Sequence, residues 1–130
     1  MTKIAVSSGD PAGIGPDICI KAFGQKKSLA YKPVIFGNID LLKERADEIK
    51  IQVDIKEYRG EDSNSLTDEY LWVVDRPISS EVKSGSPEPG TAKYIMSLFE
   101  ESVKKTISKE FNAVVTCPIN KAKPVPAETF

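Results

Sequence analysis

The sequence predicts an α/β fold with a largely parallel sheet flanked by helices. Two observations carry that prediction. Short apolar runs alternate with segments of helical periodicity, in the order β-α-β-α-β-β-α-β. The first apolar run passes through a glycine-rich loop directly into a helix, which is how α/β proteins begin. At 130 residues the chain has the length of one domain.

Lys3–Ser7 is a β-prone run with Ile4, Ala5 and Val6 at its centre. A Gly/Pro cluster from Gly9 to Pro16 follows, then a helix over Asp17 to Phe23, with Pro16 suited to its first turn and Gly24 to its end. Pro33–Phe36 is the second strand, and Asn38 is placed to cap the next helix. Ile39, Leu42, Ala46 and Ile49 fall on one face of that helix. Ile51–Tyr58 alternates, with Ile51, Val53 and Ile55 facing one way, as a half-buried strand does. Arg59–Asp68 is polar and reads as a loop.

Tyr70–Val74 is a compact strand holding the only Trp, Trp72. Asp75–Pro89, with three Pro and four Ser, reads as a long connection, of a length that is often functional. Thr91 to about Glu110 is the strongest helix, with an expected stripe of Ile95, Leu98, Phe99, Val103 and Ile107. Glu100–Lys104 and Glu101–Lys105 are spaced as i,i+4 pairs. Ala113–Thr116 is the last strand, and Ala122–Phe130 is an aperiodic tail with two Pro.

Composition removes several functions. Eighteen Lys and Arg against nineteen Asp and Glu give a net charge of -1, which argues against a dedicated nucleic-acid binder. No apolar run approaches the roughly 20 residues that span a membrane, and a cytoplasmic location is expected. The chain has no His, so a Ser-His-Asp triad, a His base and a His-ligated metal are excluded within it. Cys19 and Cys117 read as two free thiols in apolar surroundings. No Cys spacing suggests zinc.

Two strand-end motifs are candidate binding elements. In the loop Ser7–Asp17, Gly9, Gly13 and Gly15 allow close backbone approach, and the helix N-terminus behind them favours anions. The loop matches neither the dinucleotide-binding nor the phosphate-loop glycine pattern. Asp10, its ionisable group, is suited to bond a ligand hydroxyl or to cap the turn. The second motif, Thr116-Cys117-Pro118-Ile119-Asn120-Lys121, offers an amide and a point charge for phosphate or carboxylate. A third stretch, Lys83–Tyr94, is suited to a lid, a subunit contact or a plain surface loop.

Gly9-Asp10-Pro11-Ala12-Gly13-Ile14-Gly15-Pro16-Asp17, followed about a hundred residues later by Pro118-Ile119-Asn120-Lys121, resembles the 4-hydroxythreonine-4-phosphate dehydrogenase family of pyridoxal phosphate biosynthesis. The resemblance covers Met1 to about Lys121 and only the first part of a family member. It implies the first portion of an isocitrate/isopropylmalate dehydrogenase-like fold, with two lobes, a cleft and a homodimer. The implied reaction is NAD- or NADP-dependent oxidation of 4-phosphooxy-threonine, with a divalent metal, then loss of carbon dioxide. Gly9, Asp10, Gly13, Ile14, Gly15, Asn120 and Lys121 would lie near cofactor or substrate. The family's three metal-binding His and its Gly-His-Thr-Glu segment have no counterpart here. Residues 122–130 diverge, and no catalytic residue or metal ligand carries over. The chain is therefore expected to be one α/β region of an incomplete two-lobed enzyme, inactive alone. The alternative is a non-catalytic module that binds a nucleotide or phosphorylated metabolite.

Overall fold

The computed structural model describes residues 2–24, 29–78 and 91–117. They form a five-stranded sheet of β1 (Lys3–Ser7), β2 (Lys32–Gly37), β3 (Ile55–Glu57), β4 (Leu71–Asp75) and β5 (Ala113–Thr116). The strand order is β3-β4-β2-β1-β5 and every pairing is parallel. The helices are α1 (Gly15–Phe23), α2 (Ile39–Glu48) and α3 (Thr91–Ile107), with a short 3-10 turn at Ser63–Ser65.

Alternation along the central strands builds two cores. Val6, Ile35, Leu71 and Val73 point to the face covered by α1 and α2, joined there by Cys19, Ile20, Leu42 and Ala46. Ala5, Val34, Phe36, Trp72 and Val74 point to the other face, against Tyr94, Ile95 and Leu98 of α3 and Phe111. Strands that are buried on both sides read as continuous apolar runs, as these do. The chain steps from β1 to β2 to β3 with its helices on one face. It then returns from β4 across to β5 through α3 on the opposite face.

Three local expectations differ from the structure. The alternating run from Ile51 has the expected faces, but only Ile55–Glu57 pairs, since β4 is its sole neighbour and the register spans Leu71–Val73. Gly24 does end α1 as expected, with φ -79 and its N–H on the Ile20 carbonyl at 2.8 Å. It is glycine for closeness, because a Cβ there would sit 2.5 Å from the Ile20 carbonyl oxygen. The buried stripe of α3 is Thr91, Tyr94, Ile95, Leu98 and Ser102, whereas Phe99 and Ile107 are 40% and 75% exposed. Ile95 and Leu98 of the expected stripe do face the sheet, and Tyr94, rather than Phe99, packs beside them. Finally, Glu101 pairs with Arg76, beyond β4, and Lys105 with Glu110, just past the end of α3, rather than with each other. The expected connection over Asp75–Pro89 and the tail over 122–130 fall largely or wholly outside the described residues.

Candidate functional site at the carboxyl edge of the sheet

All five strands point the same way, so their carboxyl ends form one edge, and that edge is where ligands bind in open α/β sheets. It is laced together by hydrogen bonds between successive strand ends. The Ser8 N–H donates to the Phe36 carbonyl at 3.1 Å, the Arg76 N–H to Gly37 at 2.7 Å and the Cys117 N–H to Ser7 at 2.9 Å. Asn38 ties two more. Its Nδ2 donates to the Arg76 carbonyl at 2.8 Å while its Oδ1 accepts from Leu41 N–H at 2.9 Å, capping α2 as expected. Asp75 accepts from Ile39 N–H at 2.9 Å.

The glycine loop runs from Ser8 to Ile14 between β1 and α1. Gly9 has φ +76, a left-handed value natural to glycine. A Cβ on Gly15 would lie 1.9 Å from the Ser8 carbonyl oxygen, so the start of α1 can approach the end of β1 only because that side chain is absent. Of the two roles open to Asp10, the structure shows the capping one. The side chain is 3% exposed, and its Oδ1 accepts from Ala12 N–H at 2.9 Å. Gly13 N–H closes the same turn on the Asp10 carbonyl at 3.0 Å. Ile14 is 60% exposed and occupies the N-cap of α1, where it offers no side-chain cap. No side chain of this loop therefore satisfies the first turn of α1.

Arg45 was not singled out from the sequence, and it organises this loop. The residue is 2% exposed. Nη1 donates to the Gly13 carbonyl at 2.8 Å and to Asp17 Oδ1 at 3.0 Å, and Nη2 donates to the Pro11 carbonyl at 2.6 Å. One fork of donors therefore fixes two loop carbonyls and neutralises the carboxylate in the first turn of α1. A signal existed. Arg45 stands three residues after Leu42 on the face that packs inward, where a charged side chain needs partners.

Tyr94 closes the edge from the α3 side. Burial and the nearby charge of Asp75 push its hydroxyl well above the ordinary tyrosine range, with Ser8 pulling the other way. Its oxygen is buried and makes no hydrogen bond of ordinary geometry. A Cβ on Gly37 would come within 2.9 Å of the Ser8 hydroxyl oxygen, so the strand ends are closely packed here too.

The structure brings Gly9, Asp10, Gly13, Ile14 and Gly15 together in one loop at this edge. Asn120 and Lys121 lie outside the described residues, as does most of the Lys83–Tyr94 stretch. Among the described residues no group of three or more Cys, Asp or Glu side chains is placed to hold a metal ion. No helix among them is long and apolar enough to cross a membrane.

A wholly parallel sheet with helices on both faces and a glycine loop at its carboxyl edge defines an open α/β protein. The comparisons narrow this. The family model described as pyridoxal phosphate biosynthetic protein PdxA matches residues 30–128, and the chain belongs to that family. It is 30% identical over 119 residues to the 4-hydroxythreonine-4-phosphate dehydrogenase of Pseudoalteromonas atlantica, covering 92% of this chain and 36% of that protein. It is 32% identical over 118 residues to the enzyme of the same name from Neisseria meningitidis serogroup B, covering 90% of this chain and 35% of that protein. The crystal structure of the Klebsiella pneumoniae 4-hydroxythreonine-4-phosphate dehydrogenase matches with a TM-score of 0.82 at 23% identity, over 92% of this chain and 37% of that one. The structure from Burkholderia phymatum gives 0.76 at 19%, over 93% and 37%. The fold is thus that of these enzymes, and the chain spans a little over a third of their length.

Proposed function

We propose that this chain is the N-terminal portion of a 4-hydroxythreonine-4-phosphate dehydrogenase and contributes one wall of its active-site cleft. The observation that carries the reading is the glycine loop at the carboxyl edge of a sheet that matches those enzymes in fold. The complete enzyme would oxidise the secondary alcohol of 4-phosphooxy-threonine, and the resulting ketone would lose carbon dioxide. The intact protein would work as a homodimer in the cytoplasm.

The nicotinamide of NAD or NADP, when bound, would accept the hydride. The residues present fit the anionic part of such a cofactor or of the phosphorylated substrate. The N-terminus of α1 has no side-chain cap, and Arg45 neutralises Asp17, which would otherwise repel an anion there. Gly13, Ile14 and Gly15 supply the approach, Gly9 and Asp10 hold its shape, and Arg45 fixes its carbonyls away from the ligand. Asn120 and Lys121 would add an amide and an ammonium on the same wall. The divalent metal does not fit this chain, which has no His and, among the described residues, no suitable acidic or thiol cluster. Its ligands would have to come from elsewhere in the complete enzyme.

The test is a chimera that joins residues 1–121 to the remaining length of the Pseudoalteromonas relative. With 4-phosphooxy-threonine, metal and NAD or NADP, the chimera should form reduced nicotinamide and the 130-residue chain should not. A folded chimera with no turnover, combined with saturable binding of NAD or phosphate by the chain alone, would replace this reading with a non-catalytic binding module.

A further inference from the structure

Cys19 and Cys117 are 98 residues apart, yet their sulfurs lie 3.6 Å from one another. Cys19 is fully buried in α1, and Cys117 follows β5 directly, 8% exposed, with its N–H on the Ser7 carbonyl. They sit beneath the glycine loop, and a Cβ on Gly15 would come within 3.2 Å of the Cys117 Cβ. Both belong to the core cluster of Val6, Ile20, Ile35, Leu42 and Val73, so packing alone would be served by alanine or valine. We propose that Cys19 and Cys117 are an oxidation site, a dithiol that hydrogen peroxide converts to an intramolecular disulfide linking α1 to the end of β5. The sulfurs must approach by roughly 1.5 Å to reach bonding distance near 2.05 Å, a movement within reach of side-chain rotation and a small shift of α1.

The pair is chemically asymmetric. The two sulfurs share one hydrogen bond, which together with burial pushes the Cys19 thiol well above its ordinary range. The same bond holds Cys117 below its ordinary range, despite its own burial. Cys117, the more acidic and the less buried, is therefore the sulfur that attacks first. Its thiolate displaces hydroxide from peroxide and becomes a sulfenic acid. Cys19 then attacks that sulfur, forms the S–S bond and expels the oxygen as water. Overall, two thiols and one peroxide give one disulfide and two waters.

The test uses the full chain, folded and reduced, treated with hydrogen peroxide, then denatured, alkylated and weighed intact. The expected product is monomeric, lighter by two hydrogens and without alkyl groups, and a dithiol reductant restores both alkylation sites. Proteolysis should yield one peptide pair joined through Cys19 and Cys117. Cys19→Ser should instead accumulate oxygenated Cys117 or chain-to-chain dimers. The proposal is overturned if the wild-type chain keeps both thiols alkylatable, carries sulfinic or sulfonic acid at Cys117, or cross-links only between chains. None of these readouts depends on catalysis.

Discussion

The two faces of the sheet are built for different tasks. The face under α3 is aromatic, with Phe36 and Phe111 edge to face at 5.6 Å and Tyr58 tilted against Phe111 at 5.6 Å. Lys3 lies over both rings at 5.0 and 5.1 Å and donates to the Tyr58 hydroxyl at 2.7 Å, which in turn donates to Glu110 at 2.7 Å. The face under α1 and α2 is mostly aliphatic, and the buried Arg45 and the two thiols sit against the glycine loop or its supports. Large rings gain stability by burying area. A loop with a fixed shape needs donors aimed at its carbonyls instead. Substitutions on the first face should therefore change stability and spare the loop, whereas those on the second should change the loop for a smaller cost in stability.

The sharpest break is Phe111→Ala. The ring is 1% exposed and touches two other rings, so its loss should cost about 3–5 kcal/mol in denaturant unfolding. Peroxide closure of the Cys19–Cys117 pair in the still-folded fraction should proceed as in the parent. A changed product there would show that the faces are not independent.

Arg45→Met should cost about 2–4 kcal/mol, because two carbonyls buried under the guanidinium lose their donors. Hydrogen exchange should rise at Ala12 and Gly13 and stay unchanged at the β2–β4 pairing. Arg45→Lys should recover little, since one ammonium cannot reproduce a planar fork. A uniform rise in exchange across the sheet would mean that Arg45 supports the fold at large.

The sequence made the second face harder to read than the first. Strands β1, β2, β4 and β5 follow from apolar runs, and α1 and α2 from spacing and from the Asn38 cap, because local chemistry decides them. The glycine loop was legible as a loop, and its position after a strand made it a candidate site. What held it was not legible. Arg45 is 34 residues from Pro11 and 32 from Gly13, and no local pattern reports a partner at that distance. The Cys19–Cys117 approach was hidden for the same reason, as it needs β5 to lie beside β1. The α3 seam was legible at Ile95 and Leu98 but not at its margins, because Phe99 and Ile107 carry the same apolar signal as the residues that pack.

Tyr58→Phe should cost about 1–2 kcal/mol by removing the hydroxyl shared with Lys3 and Glu110. It should also change the pH profile of the aromatic face. Burial and the neighbouring acids raise Tyr58 above its ordinary range, so its contribution is whole below about pH 10 and lost as pH climbs through the folded value. At the acid end, burial opposes the charge of Glu110, but the Tyr58 hydroxyl and Lys105 outweigh it and hold the carboxyl low. Its contribution is present above about pH 4.3 and fades as pH falls through the folded value. The variant should therefore lose stability less steeply at both extremes, with Tyr94 keeping part of the alkaline slope. Parallel profiles for parent and variant would remove Tyr58 from both ends.

The smallest expected effect tests what Asp10 does. If its carboxylate serves as the acceptor for Ala12 N–H, Asp10→Ala should cost about 1 kcal/mol, as the loss of a turn or helix cap does. Asp10→Asn keeps an oxygen in the same place and should cost less than half of that. The two variants also separate shape from charge at the loop. In the active chimera, Asp10→Asn should leave the KM for cofactor and substrate near the parent value, because the side chain faces inward at 3% exposure. Asp10→Ala should raise KM through a loosened loop. An Asn variant that folds as well as the parent yet binds the ligand much more weakly would assign the carboxylate's charge to the ligand, and would move Asp10 from the frame of the site to its lining.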